Sequence, residues 1–357
     1  MIDKYELQST WCFDLKLKIN NCYINKMWMF VFIFFGMQLF FLNSLKAQDP
    51  QFTQFYAAPM YLNPAYTGVT YEHRFVANYR NQWPGVNKTY TTYMASYDYN
   101  MSNLNSGLGI TVMQDRSGTA GLTHTQFGLN YAYHFKIGKF TEMRFGANLS
   151  YNMKRIDFDK LRFNDQIVTG SNTSIEANNY QALNFMDFGA GALLNSTQYW
   201  LGLSAKHLTQ PNSSLTGDKV PLPVTISLHG GYRFILEEKS KQLKRYISPA
   251  FNYRHELKND QLDIGLYYYH LPLNVGIWYR GLPFKKYAPT YSSAESVAIL
   301  IGFDIHQYNL RVGYSYDITI SKLSVANSLG AHEISVIFEK FQRNKKSKRV
   351  LVSCPKF

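Results

Sequence analysis

Hydrophobic and polar positions alternate with a period of two through most of this chain. In "NLRVGYSYDITIS", residues 309–321, Leu310, Val312, Tyr314, Tyr316 and Ile318 fall on one side. Asn309, Arg311, Gly313, Ser315 and Asp317 fall on the other. A strand sends successive side chains to opposite faces of its sheet, so one face here is apolar and aromatic while the other is small and charged. The same pattern sets Phe127, Leu129, Tyr131, Tyr133 and Phe135 against Gly128, Asn130, Ala132, His134 and Lys136. It returns with Phe145, Leu149 and Tyr151 against Arg144, Asn148 and Asn152, and with Ile226, Leu228 and Phe234 against Ser227, His229 and Arg233. Fourteen such segments are predicted, near 74–82, 89–100, 107–115, 123–136, 141–156, 185–195, 198–207, 223–236, 245–256, 261–270, 274–281, 295–306, 308–319 and 330–341. Between them no comparable run keeps helical spacing.

The lengths of the connections give a second, independent signal. Every other connection is tight, as in "MSNLNS", "IGKF", "NST", "LPLN" and "HQ", with "LEEKSKQLKR" as the exception. Long connections keep to the opposite parity: residues 157–184, 207–222, 282–294 and 320–329. Short turns on one side and long loops on the other are the habit of a transmembrane β-barrel. The expected fold is therefore all-β, a transmembrane antiparallel barrel of about 14 strands over residues 74–341. Its apolar face meets lipid and its polar face lines a lumen. A secreted β-sandwich is the alternative, but it gives no reason for the loop parity.

Composition agrees. Charged residues are only 17% of the chain against 28 Tyr and 25 Phe, where a soluble domain carries roughly a quarter charged residues. Candidate lumen-facing polar residues are Arg144, Arg233, Arg280, Asp304, Arg311 and Asp317, placed to pair with one another across the interior. Glycines recur on the same face, among them Gly109, Gly146, Gly191, Gly202 and Gly313; they suit barrel curvature or the close approach of a plug. Trp83, Tyr97, Tyr99, Trp200, Trp278 and Tyr279, near strand ends, are expected in interfacial girdles.

The flanking segments read differently. The uncharged run Met27–Leu42 follows Lys26 and leads into "NSLKAQ", which has the form of an export signal. Cleavage is expected after Ala47, leaving Gln48 as the new N-terminus. A retained membrane anchor is the alternative, although the run is shorter than the ~20 residues that a spanning helix needs. Residues 48–73 carry aromatics and prolines without a strand period, and are expected to plug the lumen or cap the periplasmic rim. Residues 342–357 form a basic tail. Residues 1–47 hold five Lys and three Asp or Glu, so residues 48–357 keep +11 of the chain's +13. No nucleic-acid partner is expected of an exported chain; the tail suits a periplasmic tether or docking segment. Beyond residue 47 Cys354 stands alone, which allows neither an internal disulfide nor a zinc site.

Signals of enzymatic chemistry are absent. "GAHEIS" lacks the second His of a zinc motif, "GLGITV" and "GAGALL" lack a third Gly, and "GLSAK" lacks the second Gly of a nucleophile elbow. No catalytic, cofactor-binding or metal-binding residues are assigned and no cofactor is expected.

An ordered set of words carries a resemblance. "AQDPQFTQFYAAPMYLNPAYTG" (47–68), "NYRNQW" (78–83), "YAYHF" (131–135), "LGLSAKHL" (201–208), "GYRF" (231–234) and "GIWYR" (276–280) occur in turn. They are followed by "RVGYSYDITISKL" (311–323), "GAHEIS" (330–335) and the terminal "CPKF". In this order they resemble the PorP/SprF family of the type IX secretion and gliding-motility machinery of the Bacteroidota; Ala331 stands where Ser is the commoner residue. The resemblance implies a non-enzymatic outer-membrane protein. It would secrete or hold at the cell surface a partner adhesin carrying a type IX C-terminal sorting domain. As a core component it would instead bind periplasmic lipoproteins and a peptidoglycan-binding partner. A passive or hydrophobic-solute channel is a further alternative from the residues alone. Residues 157–184 are the expected contact for a surface cargo.

Overall fold

The computed structural model describes residues 49–340, apart from 70–71, 87–89, 119–120, 139, 158–160, 173, 175–181, 216–217, 240–241, 258, 289–290 and 322. The expected export signal with Ala47 and Gln48, and the basic tail with Cys354, lie outside the described residues. Contacts divide the chain into residues 1–49 and 50–357, and the second unit is the barrel.

The strands are β1 (His73–Gln82), β2 (Tyr90–Met101), β3 (Ser106–Ser117), β4 (Leu122–Lys136), β5 (Thr141–Arg155), β6 (Leu183–Ser196) and β7 (Tyr199–Lys206). They continue with β8 (Thr225–Tyr232), β9 (Phe234–Lys239), β10 (Gln242–Glu256), β11 (Asn259–His270), β12 (Leu273–Ala288), β13 (Tyr291–Ile305), β14 (Leu310–Thr319) and β15 (Ala331–Lys340). Each pairs antiparallel with its neighbours, and β1 pairs with β15 from His73↔Lys340 to Gln82↔Ala331, which closes the ring. Strands β8 and β9 both pair with β10 and are the two halves of one stave interrupted at Arg233. The result is a closed antiparallel barrel of fourteen staves. Among the described residues no helix is long and apolar enough to cross a membrane.

Alternation places the apolar set on the outside. Leu129 is 62% exposed and Phe303 51%, whereas Asn130 and Asp304, one residue along, are buried. Exposed aliphatic and aromatic side chains wrap the barrel, and the core lies inside it. There Tyr56, Ala65, Tyr66, Leu193, Trp200, Tyr267, Trp278 and Leu300 pack together. An exterior of this kind suits hydrocarbon, and closure leaves no unpaired strand edge to face it.

Three expectations need correction. The "LEEKSKQLKR" exception to the short turns disappears, because β9 and β10 extend through it and leave only residues 240–241 between them. Residues 282–294 are mostly strand rather than loop: β12 runs to Ala288 and β13 starts at Tyr291. In both places the strands continue past the stretch in which the sequence alternates cleanly. Trp200 and Trp278 are not girdle residues. They share inward parity with Gly202 and Arg280 and are buried in the lumen; the ring of Trp278 lies 5.1 Å from that of Phe55, edge to face.

At one end of the barrel the connections are residues 102–105, 137–140, 197–198, 240–241, 271–272 and 306–309, all short. At the other end lie residues 83–89, 156–182, 207–224 and 320–330, together with three shorter connections. Leu129, at the middle of β4, tests the exterior. Leu129→Arg is expected to lower folding stability in lipid vesicles by about 2–4 kcal/mol, the cost of a cation at mid-bilayer. Leu129→Phe should be nearly neutral, both read from denaturant unfolding of the reconstituted protein.

Candidate functional site: the occupied lumen

The most elaborate arrangement of polar groups is the seat of the chain's own residues 50–69 inside the barrel. Short turns break this segment up: a 3-10 turn at Phe55–Ala57, a helical turn at Pro59–Leu62 and a second 3-10 turn at Pro64–Tyr66. Pro59 and Pro64 each open a turn, where their lack of an N–H costs nothing. Asn63 caps the last turn, its side chain accepting from the Ala65 N–H at 2.9 Å. So many turn formers prevent the segment from joining the sheet. It crosses the lumen instead.

Where the segment enters β1, near the short-turn end, the barrel grips its backbone. Gly68, at φ +66°, turns the chain toward β1, and its N–H donates to Asp98 at 2.7 Å. Asp98 is itself ion-paired with Arg74 at 2.8 Å, and Arg74 donates to the Tyr66 carbonyl at 3.1 Å. Arg144 donates to the carbonyls of Ala65 (3.0 Å) and Thr67 (2.7 Å). The Asn63 amide reaches the carbonyls of Ala192 and Leu203, and the Ser204 hydroxyl donates to the Leu62 carbonyl at 2.8 Å.

The barrel wall is hollowed to match. A Cβ on Gly146 would overlap the backbone of Pro64–Ala65, and one on Gly191 would overlap the Asn63 side chain. Gly107 presses in the same way on the Thr67 carbonyl, and Gly313 faces Gln54. These inward glycines therefore make room for the lumenal segment, Gly146 and Gly107 for its backbone and Gly191 and Gly313 for its side chains. Gly202 instead accommodates the ring of His229, and Gly265 that of Trp278.

Toward the long-loop end the segment meets a cluster of buried charge. Thr53 and Gln54 donate consecutive backbone N–H groups to the two oxygens of Glu333, at 2.7 and 3.1 Å. Arg80 bridges Asp317 (2.7 Å) and Glu333 (3.1 Å), and Arg280 lies 3.5 Å from both Asp263 and Asp317. The Thr53 hydroxyl donates to Asp317 at 2.7 Å and accepts from Arg80 at 2.6 Å and Arg280 at 3.2 Å. The Gln54 amide donates to the Glu333 carbonyl and its oxygen accepts from Tyr56 and Ser335. Buried charges persist only where partners and hydrogen bonds replace water, and here the segment supplies several of those partners.

All six candidate lumen residues are buried. Arg280 and Asp317 belong to this cluster, and Arg144 to the grip on the backbone, where its ion partner is Glu142. Arg311 and Asp304 pair with each other, and the Tyr269 hydroxyl donates to Asp304 at 2.8 Å. Arg233 lies over the Tyr246 ring and donates to the Thr197 carbonyl. These last three form a separate group beside the short turns. Sequence reasoning passed over Arg80, Glu333, Arg74 and Asp98, although strand parity puts all four on the inward face. Among the described residues no group of three or more His, Cys, Asp or Glu side chains could hold a metal ion.

Glu333→Gln tests the seat. Removing one partner of a buried ion pair costs about 3–5 kcal/mol, so segment opening should rise at least ~100-fold at roughly 1.4 kcal/mol per decade. An Ala57→Cys reporter, fully buried in the parent, should then react with a maleimide correspondingly faster.

No curated protein sequence matches the chain. Among solved structures it is similar to the CymD monoaromatic hydrocarbon channel (TM-score 0.47, 10% identity, 81% of this chain and 94% of that one). It is also similar to the Pseudomonas putida toluene transporter TodX (0.46, 9%, 79% and 93%). A third is Omp33 of Acinetobacter baumannii (0.40, 8%, 77% and 100%). Residues 44–338 match the family described as type IX secretion system membrane protein PorP/SprF. With most of its length inside that match, the chain belongs to the PorP/SprF family of type IX secretion system membrane proteins.

Proposed function

We propose that this barrel resides in the outer membrane, with its short turns toward the periplasm, and secretes or holds at the cell surface a partner protein carrying a type IX C-terminal sorting domain. The occupied lumen carries this reading. Residues 50–69 touch β1, β3, β5, β7, β12, β14 and β15 through hydrogen bonds, ring contacts or glycine faces. A barrel so occupied suits a platform better than a conduit for solutes. The segment 156–182, with Ile167 and Val168 exposed on the short helix Asn164–Thr169, offers the surface for the partner. Periplasmic lipoproteins or a peptidoglycan-binding protein would meet the opposite rim.

Deleting the gene is expected to deplete the partner from the cell surface, as read by antibody labelling of intact cells, with recovery on complementation. Undiminished display would refute the role. In planar bilayers the purified protein should show no steady conductance, whereas Thr53→Ala combined with Glu333→Gln should give open steps. Robust conductance of the unaltered protein would favour a solute channel instead.

A further inference from the structure

Many of the polar contacts between the segment and the barrel are of a kind that recognises a peptide. Side chains of the wall read main-chain groups: Arg144 and Arg74 take carbonyls, and Asp98 and Glu333 take N–H groups. Such contacts hold a backbone whatever its sequence, while pockets for particular side chains supply the choice. That choice is concentrated at Thr53 and Gln54. The Thr53 hydroxyl is engaged by both carboxylate oxygens of Asp317 and by two guanidinium groups. The Gln54 amide is engaged at its nitrogen and at its oxygen. The receptor side comes entirely from β1, β12, β14 and β15, so strand pairing holds Arg80, Arg280, Asp317 and Glu333 in place. The glycine track in the wall continues the fit along the rest of the segment.

We propose that the Arg80, Arg280, Asp317 and Glu333 cluster is a binding site for a peptide bearing a Thr-Gln pair at the entry to a turn. The chain's own residues 53–54 occupy it, and the same pattern from a separate polypeptide enters when they withdraw. The site is independent of which protein the barrel holds at the surface. It also has a direction. Gly68 lies against Gly107, beside the short turn 102–105, whereas Gln51 bonds Gln261, two residues into β11 from the opposite end. A bound peptide therefore runs with its N-terminal end toward the long loops.

The test uses the full-length protein in lipid nanodiscs, with a specific protease site inserted between Val69 and Glu72. Cutting there frees the segment from β1 after the barrel has formed. A fluorescent peptide of residues 49–69 should then exchange into the barrel and be competed by its unlabelled form. Peptides with Thr53→Ala and Gln54→Ala should bind at least tenfold more weakly. An unrelated carrier peptide holding only Phe-Thr-Gln-Phe should be retained. Equal uptake of a scrambled peptide, or no exchange after complete cutting, overturns the site. Uptake of the chain's own sequence but not of the carrier overturns entry by a separate polypeptide. In the uncut chain, free native peptide should speed maleimide labelling of Ala57→Cys, and unchanged labelling at saturating peptide counts against displacement.

Discussion

A sheet whose outer face is apolar cannot end in an open edge. In hydrocarbon each unpaired backbone N–H or C=O costs several kcal/mol or so. The pairing of β1 with β15 removes that cost along ten consecutive residue pairs. Closure then fixes everything inside. Fourteen staves enclose more space than wall side chains alone fill, and alternation delivers charged and polar groups to that space. These groups need partners that are not lipid. The chain supplies them from its own residues 50–69, whose main-chain groups meet Arg74, Asp98, Arg144 and Glu333.

The interior is thus a core turned inside out from that of a soluble protein, with two characters. One side is aromatic, where Tyr56 packs edge to face on Tyr267 and Phe55 on Trp278. The other is ionic, where Arg80 and Arg280 face Asp263, Asp317 and Glu333. The aromatic side supplies bulk without directional demands. The ionic side fixes position through directional hydrogen bonds and ion pairs. Together they hold an irregular segment in a single pose without any regular secondary structure longer than one turn.

The exterior was legible in the sequence because the period of two is a local rule, read within a few residues. Leu129 and Asn130 declare their faces without knowledge of anything distant. The ionic cluster was not legible as a cluster. Arg80 and Glu333 lie 253 positions apart and Arg80 and Asp317 237, and parity gives the face of each residue but not its partner. Trp200 and Trp278 depart from the expected girdles because the parity of their own strands outweighs the preference of Trp for membrane interfaces. The strand ends flanking residues 240–241 read as loops, since the run "LEEKSKQLKR" carries no alternation of apolar and polar positions. The inward glycines were visible, but whether they answered curvature or a second backbone depended on where residues 63–67 come to rest.

One contact joins the beginning of the fold to its end. The N–H of Thr53 rests on a carboxylate 280 positions downstream, on the last stave. The first residues of the barrel unit therefore find their resting place only against its last strand. Contacts of such sequence separation form late, after the cost of ordering the intervening chain has been met. The seat of the lumenal segment and the seam of the ring share the same final strand, so a molecule lacking β15 loses both the Glu333 carboxylate and the partner of β1.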